Sequence, residues 1–229
     1  MNGLEHKVIV YDDVCPLCNA YTGCFLKLGW LQQRSGFAAA DPALLNQIDL
    51  DRARHEIPLH DTRTGQTLYG LDALFLILGT RFPVLQPLFR NRLFRWMVKQ
   101  LYQVITYNRR IIAGSRAPAE GFDCAPDVNP FYRRFYIGLA TSGTALALRP
   151  VLAGGGGGWY QVLPALQVLF LFAGLAMARD RLSFTGHWAT IGLLGALTAA
   201  VLPFSPLGAA AATVLTGWCW WQRRDLVFA

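Results

Sequence analysis

Hydrophobic and polar positions divide the chain into two unlike parts. Residues 8–11, Val-Ile-Val-Tyr, form a short β-branched and aromatic run that predicts a buried strand. Asp12-Asp13-Val14-Cys15-Pro16-Leu17-Cys18-Asn19 follows at once. A helical pattern then runs through Tyr21, Phe25, Leu28 and Leu31, and Gly36 is expected to end it. Pro16 suits the first turn of that helix, where its missing N–H has no helical partner to lose. Residues 36–40 read as a second strand and Asp41 as the cap of a helix beginning at Pro42. Residues 57–60 read as a third strand, and 62–65 as a hairpin turn into residues 67–69. A further helix from Gly70 or Leu71 carries Leu71, Leu74, Phe75 and Leu78 at helical spacing.

The second part is built from long uncharged runs. Residues 150–178 hold 29 positions without a formal charge, and residues 182–222 hold 41. A membrane span needs about 20 apolar residues. The first run fits one span, residues 159–178. The second fits two, broken near Pro203-Phe204-Ser205-Pro206. Residues 135–148, between Arg134 and Arg149, are a shorter fourth candidate, for which an interfacial helix is the alternative.

With the N-terminal part in the cytoplasm, Arg133, Arg134, Arg179, Arg181, Arg223 and Arg224 fall inside and Arg149 outside, as the positive-inside rule expects. Trp159 and Tyr160 mark one interface, and Trp218, Trp220 and Trp221 another. The five glycines 154–158 read as an external turn, and His187 as interfacial. Small residues, among them Gly192, Gly195, Ala196 and Ala199, are expected to let the last helices pack closely. The polar first seven residues show no signal-peptide pattern, so the first domain is expected to stay in the cytoplasm.

Composition sharpens this division. The chain has 229 residues, 53% hydrophobic and 15% charged, against roughly 25% charged in typical soluble domains. Residues 1–130 carry 14 Lys+Arg and 12 Asp+Glu, whereas residues 131–229 carry seven Arg and two Asp. Disorder, collagen-like repeats and a disulfide-dense secreted scaffold are excluded by the apolar content and by only five cysteines.

The candidate chemistry lies at Cys15-Pro16-Leu17-Cys18, at the junction of a strand and a helix N-terminus. Unpaired N–H groups there favour a thiolate. Cys15, read as the more accessible sulfur, is expected to be the nucleophile, and Cys18, one turn on, to resolve a mixed disulfide. A zinc clip is the alternative, but the pair supplies half a ligand set, no second Cys-x-x-Cys follows, and His55 and His60 fall on opposite sides of a predicted strand. Asp12 is read either as a proton relay or as a tie for the loop before the helix. Cys24 is expected in the core, Cys124 exposed in a linker, and Cys219 at a packing or lipid-facing position.

Between residues 73 and 119 there is no acidic residue and there are eight basic ones, Arg90, Arg92, Arg95 and Lys99 among them. Interleaved aromatics make this a basic amphipathic stretch suited to a membrane surface, with nucleic acid disfavoured.

The first part resembles the DCC family of thiol-disulfide oxidoreductases. Asp12, Cys15 and Cys18 match the family's Asp-x-x-Cys-x-x-Cys. Tyr69-Gly70-Leu71-Asp72-Ala73-Leu74 is similar to its second region, and Tyr107-Asn108-Arg109, or Tyr102 with the same pair, to its closing pattern. The likeness spans roughly residues 7–115. It departs from the family at Asp13, where glycine is usual; a second carboxylate facing Cys15 would oppose thiolate formation. The resemblance implies a thioredoxin-like fold, in which Pro58 stands where a cis-proline is often found beside the sulfurs; the start of an edge strand is its other reading. Pro16, Leu17 and Pro58 are the expected substrate contacts.

The expectation is therefore an α/β thioredoxin-like domain at residues 1–116, closed by basic helices from about residue 81. A linker at 117–130 and an all-α transmembrane bundle of about four spans at 131–229 follow. Such a chain would be a multi-pass protein of a bacterial-type inner membrane. Its cytoplasmic domain would reduce disulfides of a protein or small thiol substrate, with no cofactor and no metal. The bilayer and a possible membrane-protein partner would be its surroundings. Electron transfer across the membrane would need a second dithiol in the bundle, where only Cys219 lies. The alternative is a non-catalytic membrane protein whose redox domain senses or assembles.

Overall fold

Alternation along β1 (Lys7–Tyr11) sets the core. Val8 and Val10 pack with Phe37, Ile48, Ala53 and Tyr69 on one face. Ile9 packs with Phe25, Leu59, Ala73 and Ile77 on the other. A strand buried on both faces reads as a continuous apolar run, as this one does. The computed structural model describes residues 4–116, 123–124, 126–153, 159–201 and 206–228, in two units, Met1–Val128 and Asn129–Ala229.

In the first unit β2 (Gln33–Gly36) lies parallel to β1, β3 (Pro58–Asp61) antiparallel to β1, and β4 (Thr67–Tyr69) antiparallel to β3. The order β2-β1-β3-β4 agrees with the thioredoxin-like expectation. The helices are α1 (Pro16–Lys27), α2 (Pro42–Leu45), α3 (Leu50–Ala53), α4 (Gly70–Arg81), α5 (Gln86–Arg90) and α6 (Arg92–Ala113). Asp41, Asp49 and Asn91 cap α2, α3 and α6, each accepting a first-turn N–H.

Two boundaries differ from expectation. α1 ends at Lys27, because Gly29 turns left-handed (φ 65°) and brings Leu31 back onto the core. The second strand is the polar stretch Gln33–Gly36, and residues 37–39 form a 3₁₀ turn that buries Phe37. β2 pairs with β1 alone, so hydrogen bonds rather than burial define it, and an apolar search passes over it.

The second unit consists, among the described residues, of α7 (Pro130–Ala153), α8 (Trp159–Met177), α9 (Arg181–Val201) and α10 (Pro206–Phe228). Helices lie over the predicted apolar runs, with α7 running well beyond the expected 135–148 at both ends. The five glycines 154–158 and the break at 202–205 lie outside the described residues. By length and apolarity one described helix, α9, qualifies as a membrane span. Small residues do allow close approach. A Cβ on Gly195 would stand 2.5 Å from Thr216, and one on Gly174 1.9 Å from the Phe184 ring.

Polar side chains turn inward here, contrary to the interfacial placement of His187, and Arg133 and Arg223 are buried with it. His187 is 5% exposed, with its Nδ1 3.5 Å from Arg223 Nη1, and the buried Arg133 donates to Ser183 Oγ at 3.1 Å. Interhelical contacts thus tie α9 to α7 and α10.

Candidate active site

The chain leaves β1 at Tyr11 and enters α1 at Pro16, so Cys15 is the N-cap, in extended backbone. Cys18 follows in the first turn. Contrary to expectation Cys15 is the less accessible of the two, 2% exposed against 7%. Both sulfurs border an apolar pocket of about 390 Å³ walled by Tyr21, Phe25, Leu74, Leu78 and Ile105 from α1, α4 and α6. Packing under these helices covers the N-cap, and the exposed Leu17 and Pro16 form its outer edge.

The two thiols differ in acidity. The Cys15 thiol is lowered from 9.0 to about 6, chiefly because the Cys18 thiol donates to its sulfur. Burial opposes this, while the Cys18 backbone N–H and the Arg109 guanidinium support it and Asp12 opposes. The sulfur makes no complete capping hydrogen bond, so the amide's part is electrostatic. Cys18 is pushed well above the usual thiol range by its bond to Cys15, by burial and by the charge on Cys15. One sulfur is thus poised as thiolate and its neighbour held as thiol.

The loop between them and β1 is tied from both ends. Asp12 Oδ1 accepts from Val14 N at 3.1 Å, and its Oδ2 lies 3.3 Å from Arg109 Nη2. This geometry matches the loop-tie reading of Asp12. Asn19 Nδ2 donates to the Asp13 carbonyl at 2.7 Å. The extra carboxylate of Asp13 packs over Gly36, where an added Cβ would stand 2.9 Å from Asp13 Cβ. Thr22 Oγ1 donates to the Cys18 carbonyl at 2.7 Å, fixing the first turn.

Residues 9–115 match the model of the DCC1-like thiol-disulfide oxidoreductase family. This stretch belongs to that family. No curated protein and no solved structure matches the chain. The motif's Asp, second Cys and Arg converge in this DCC1-like domain, since Asp12, Cys18 and Arg109 line one crevice with Tyr11, Pro58 and Cys124. In the sequence Arg109 stands in a closing pattern and among the basic residues of 73–119. Its place beside Asp12 depends on how α6 returns to the sheet, which no local spacing reveals. Tyr21 and Tyr102, whose hydroxyls are raised by burial, were likewise legible only as helical spacing and a motif alternative.

Other expectations are corrected. Pro58 opens β3 within the sheet and is fully buried, and no peptide bond among the described residues is cis. As the first residue of a strand it loses no needed N–H. Cys24 is exposed, because it points away from the sheet. Cys124 is 3% exposed rather than open to solvent, packing with Val8, Val10 and Phe37 while Arg109 donates to its carbonyl. Burial first, and Asp12 next, push its thiol up to about 12.

Arg95 is held on the domain by Asp72 at 2.5 Å and by the Phe75 ring, whereas Arg90, Arg92 and Lys99 are exposed. Among the described residues no group of three or more His, Cys, Asp or Glu stands close enough to hold a metal ion.

Proposed function

We propose that this chain is a membrane-anchored thiol-disulfide oxidoreductase that works in the reductive direction on the cytoplasmic face of a bacterial-type inner membrane. One observation carries the reading: Cys15 stands at the N-cap of α1 with Cys18 one turn on, both line one pocket, and the Cys15 thiol is lowered to about 6. The Cys15 thiolate attacks one sulfur of a substrate disulfide. A Cys15–substrate disulfide forms, and the other substrate sulfur leaves as a thiolate and takes a proton. Cys18 then gives up its proton and attacks Cys15 Sγ. The second substrate thiolate leaves, and two electrons have passed from the dithiol to the substrate. Pro16 and Leu17 present the exposed edge against which the substrate docks, and Asp12 with Arg109 sets the local field.

The second unit serves as the anchor, with α7 to α10 as its spans and the six cytoplasmic-side arginines setting the orientation. Arg90 and Arg92, with the exposed Leu88, Leu93, Met97 and Leu101, supply a basic apolar face toward anionic lipid. Each such basic group contributes about 1 kcal/mol at a charged leaflet.

The reading is tested by insulin reduction with the purified full chain under dithiothreitol. Turnover above the uncatalysed rate, abolished by Cys15→Ser, is expected. Equal rates for wild type and Cys15→Ser would refute it.

A further inference from the structure

A second pocket, of about 400 Å³, adjoins the one at the sulfurs, and His55, Tyr102 and Thr106 line both. Their chemistry differs. The first is walled by aliphatic and aromatic carbon at Cys15 and Cys18. The second is lined by Arg52, Arg95 and Lys99, with Glu56 and Asp72 as its acids. Those acids are already engaged, Glu56 with Arg52 at 2.8 Å and Asp72 with Arg95 at 2.5 Å. Lys99 makes no ion pair among the described residues and is exposed, so the pocket presents one uncompensated cation. Each volume lies within the roughly 300–1,000 Å³ of small-molecule sites.

We infer that the substrate is a small disulfide whose sulfur is flanked by an apolar group and which carries a carboxylate remote from that sulfur. The apolar group enters the pocket at Cys15, and the carboxylate lies in the second pocket at Lys99. This rests on the thiol-disulfide reading above and adds the substrate class to it. The exchange is the two-electron step already written: Cys15 bonds one substrate sulfur, Cys18 displaces it, and both substrate sulfurs leave as thiols.

The test uses the full chain in a Cys24→Ala/Cys219→Ala background, reduced beforehand and freed of reductant, so that the Cys15/Cys18 dithiol is the accessible electron source. Second-order rate constants are measured for an anionic aromatic disulfide, 5,5′-dithiobis(2-nitrobenzoate), and a neutral one, 4,4′-dithiodipyridine. In Lys99→Glu the ratio of anionic to neutral constants is expected to fall about tenfold at low salt, with Lys99→Arg retaining it. Arg63→Glu, an exposed charge reversal in the β3–β4 turn, is expected to leave the ratio within about twofold. A ratio unchanged in Lys99→Glu, or lowered equally in Arg63→Glu, overturns the inference. Failure of this background chain to react with either reagent faster than free cysteine instead overturns the redox reading beneath it.

Discussion

Arg109 lies 3.3 Å from Asp12, and each of these side chains is only 14% exposed. The pair joins the far end of α6 to the loop that presents Cys15, with opposite effects on the thiols. The guanidinium favours thiolate at both sulfurs, and the carboxylate disfavours it. Arg109→Gln removes the favourable charge and leaves a nearly buried carboxylate without its partner. We expect a loss of about 2–3 kcal/mol in stability, together with a raised Cys15 pKa. Asp12→Asn is expected to lower that pKa. Thermal melts and the pH dependence of Cys15 alkylation read the two effects separately.

Acidity at Cys15 makes a second expectation. Alkylation of Cys15 by iodoacetamide should reach half its maximal rate near pH 6. Cys18→Ala removes the principal hydrogen bond and should move that midpoint upward, with Cys18→Ser moving it less because a hydroxyl still donates. Folding lowers this pKa from 9.0, so above pH 6 the unfolded chain holds a proton that the native chain has released. The Cys15 contribution to stability therefore grows from about pH 6 to about pH 9 and is lost as pH falls back through 6. The melting-temperature gap between the reduced wild type and Cys15→Ser should widen over that interval.

Gly36 ends β2 where the Asp13 side chain crosses it. An added Cβ would stand 2.9 Å from Asp13 Cβ, too close for the loop to stay in place. Gly36→Ala should cost about 1–3 kcal/mol, as crowding of a packed site does. It should also slow Cys15 alkylation by displacing the loop. A melt and a rate at one pH suffice to check this.

The remaining thiols should separate cleanly by reagent. Cys124, buried and pushed up to about 12, should be modified at least about 100-fold more slowly than Cys15 at pH 8. Cys24, exposed on α1, is the better topological reporter. In intact cells a membrane-impermeant maleimide should label Cys24 only after permeabilisation if the domain is cytoplasmic. Peptide mass spectrometry follows both sites.

The legible parts of the fold were those where one local rule decides. Val8 to Tyr11 is apolar because it is buried on both faces, Asp41 caps because Pro42 follows, and Pro16 marks a helix start beside two cysteines. Residues 33–36 were not legible, since a polar edge strand carries no periodic burial. The Arg109–Asp12 pair was hidden for another reason: its partners are 97 positions apart, and only the tertiary return of α6 joins them. Burial of Cys124 and exposure of Cys24 have the same origin, because a thiol's surroundings are set by the sheet face it reaches.

The chemistry is tested most directly by trapping. Cys18→Ser retains Cys15 as the sole sulfur of the pair and removes the group that resolves its adducts. Exposed to substrate disulfides, this variant should accumulate a mixed disulfide at Cys15, released by dithiothreitol, while Cys15→Ser accumulates none at Cys18. A folded Cys18→Ser chain that carries no adduct at Cys15 would contradict the account.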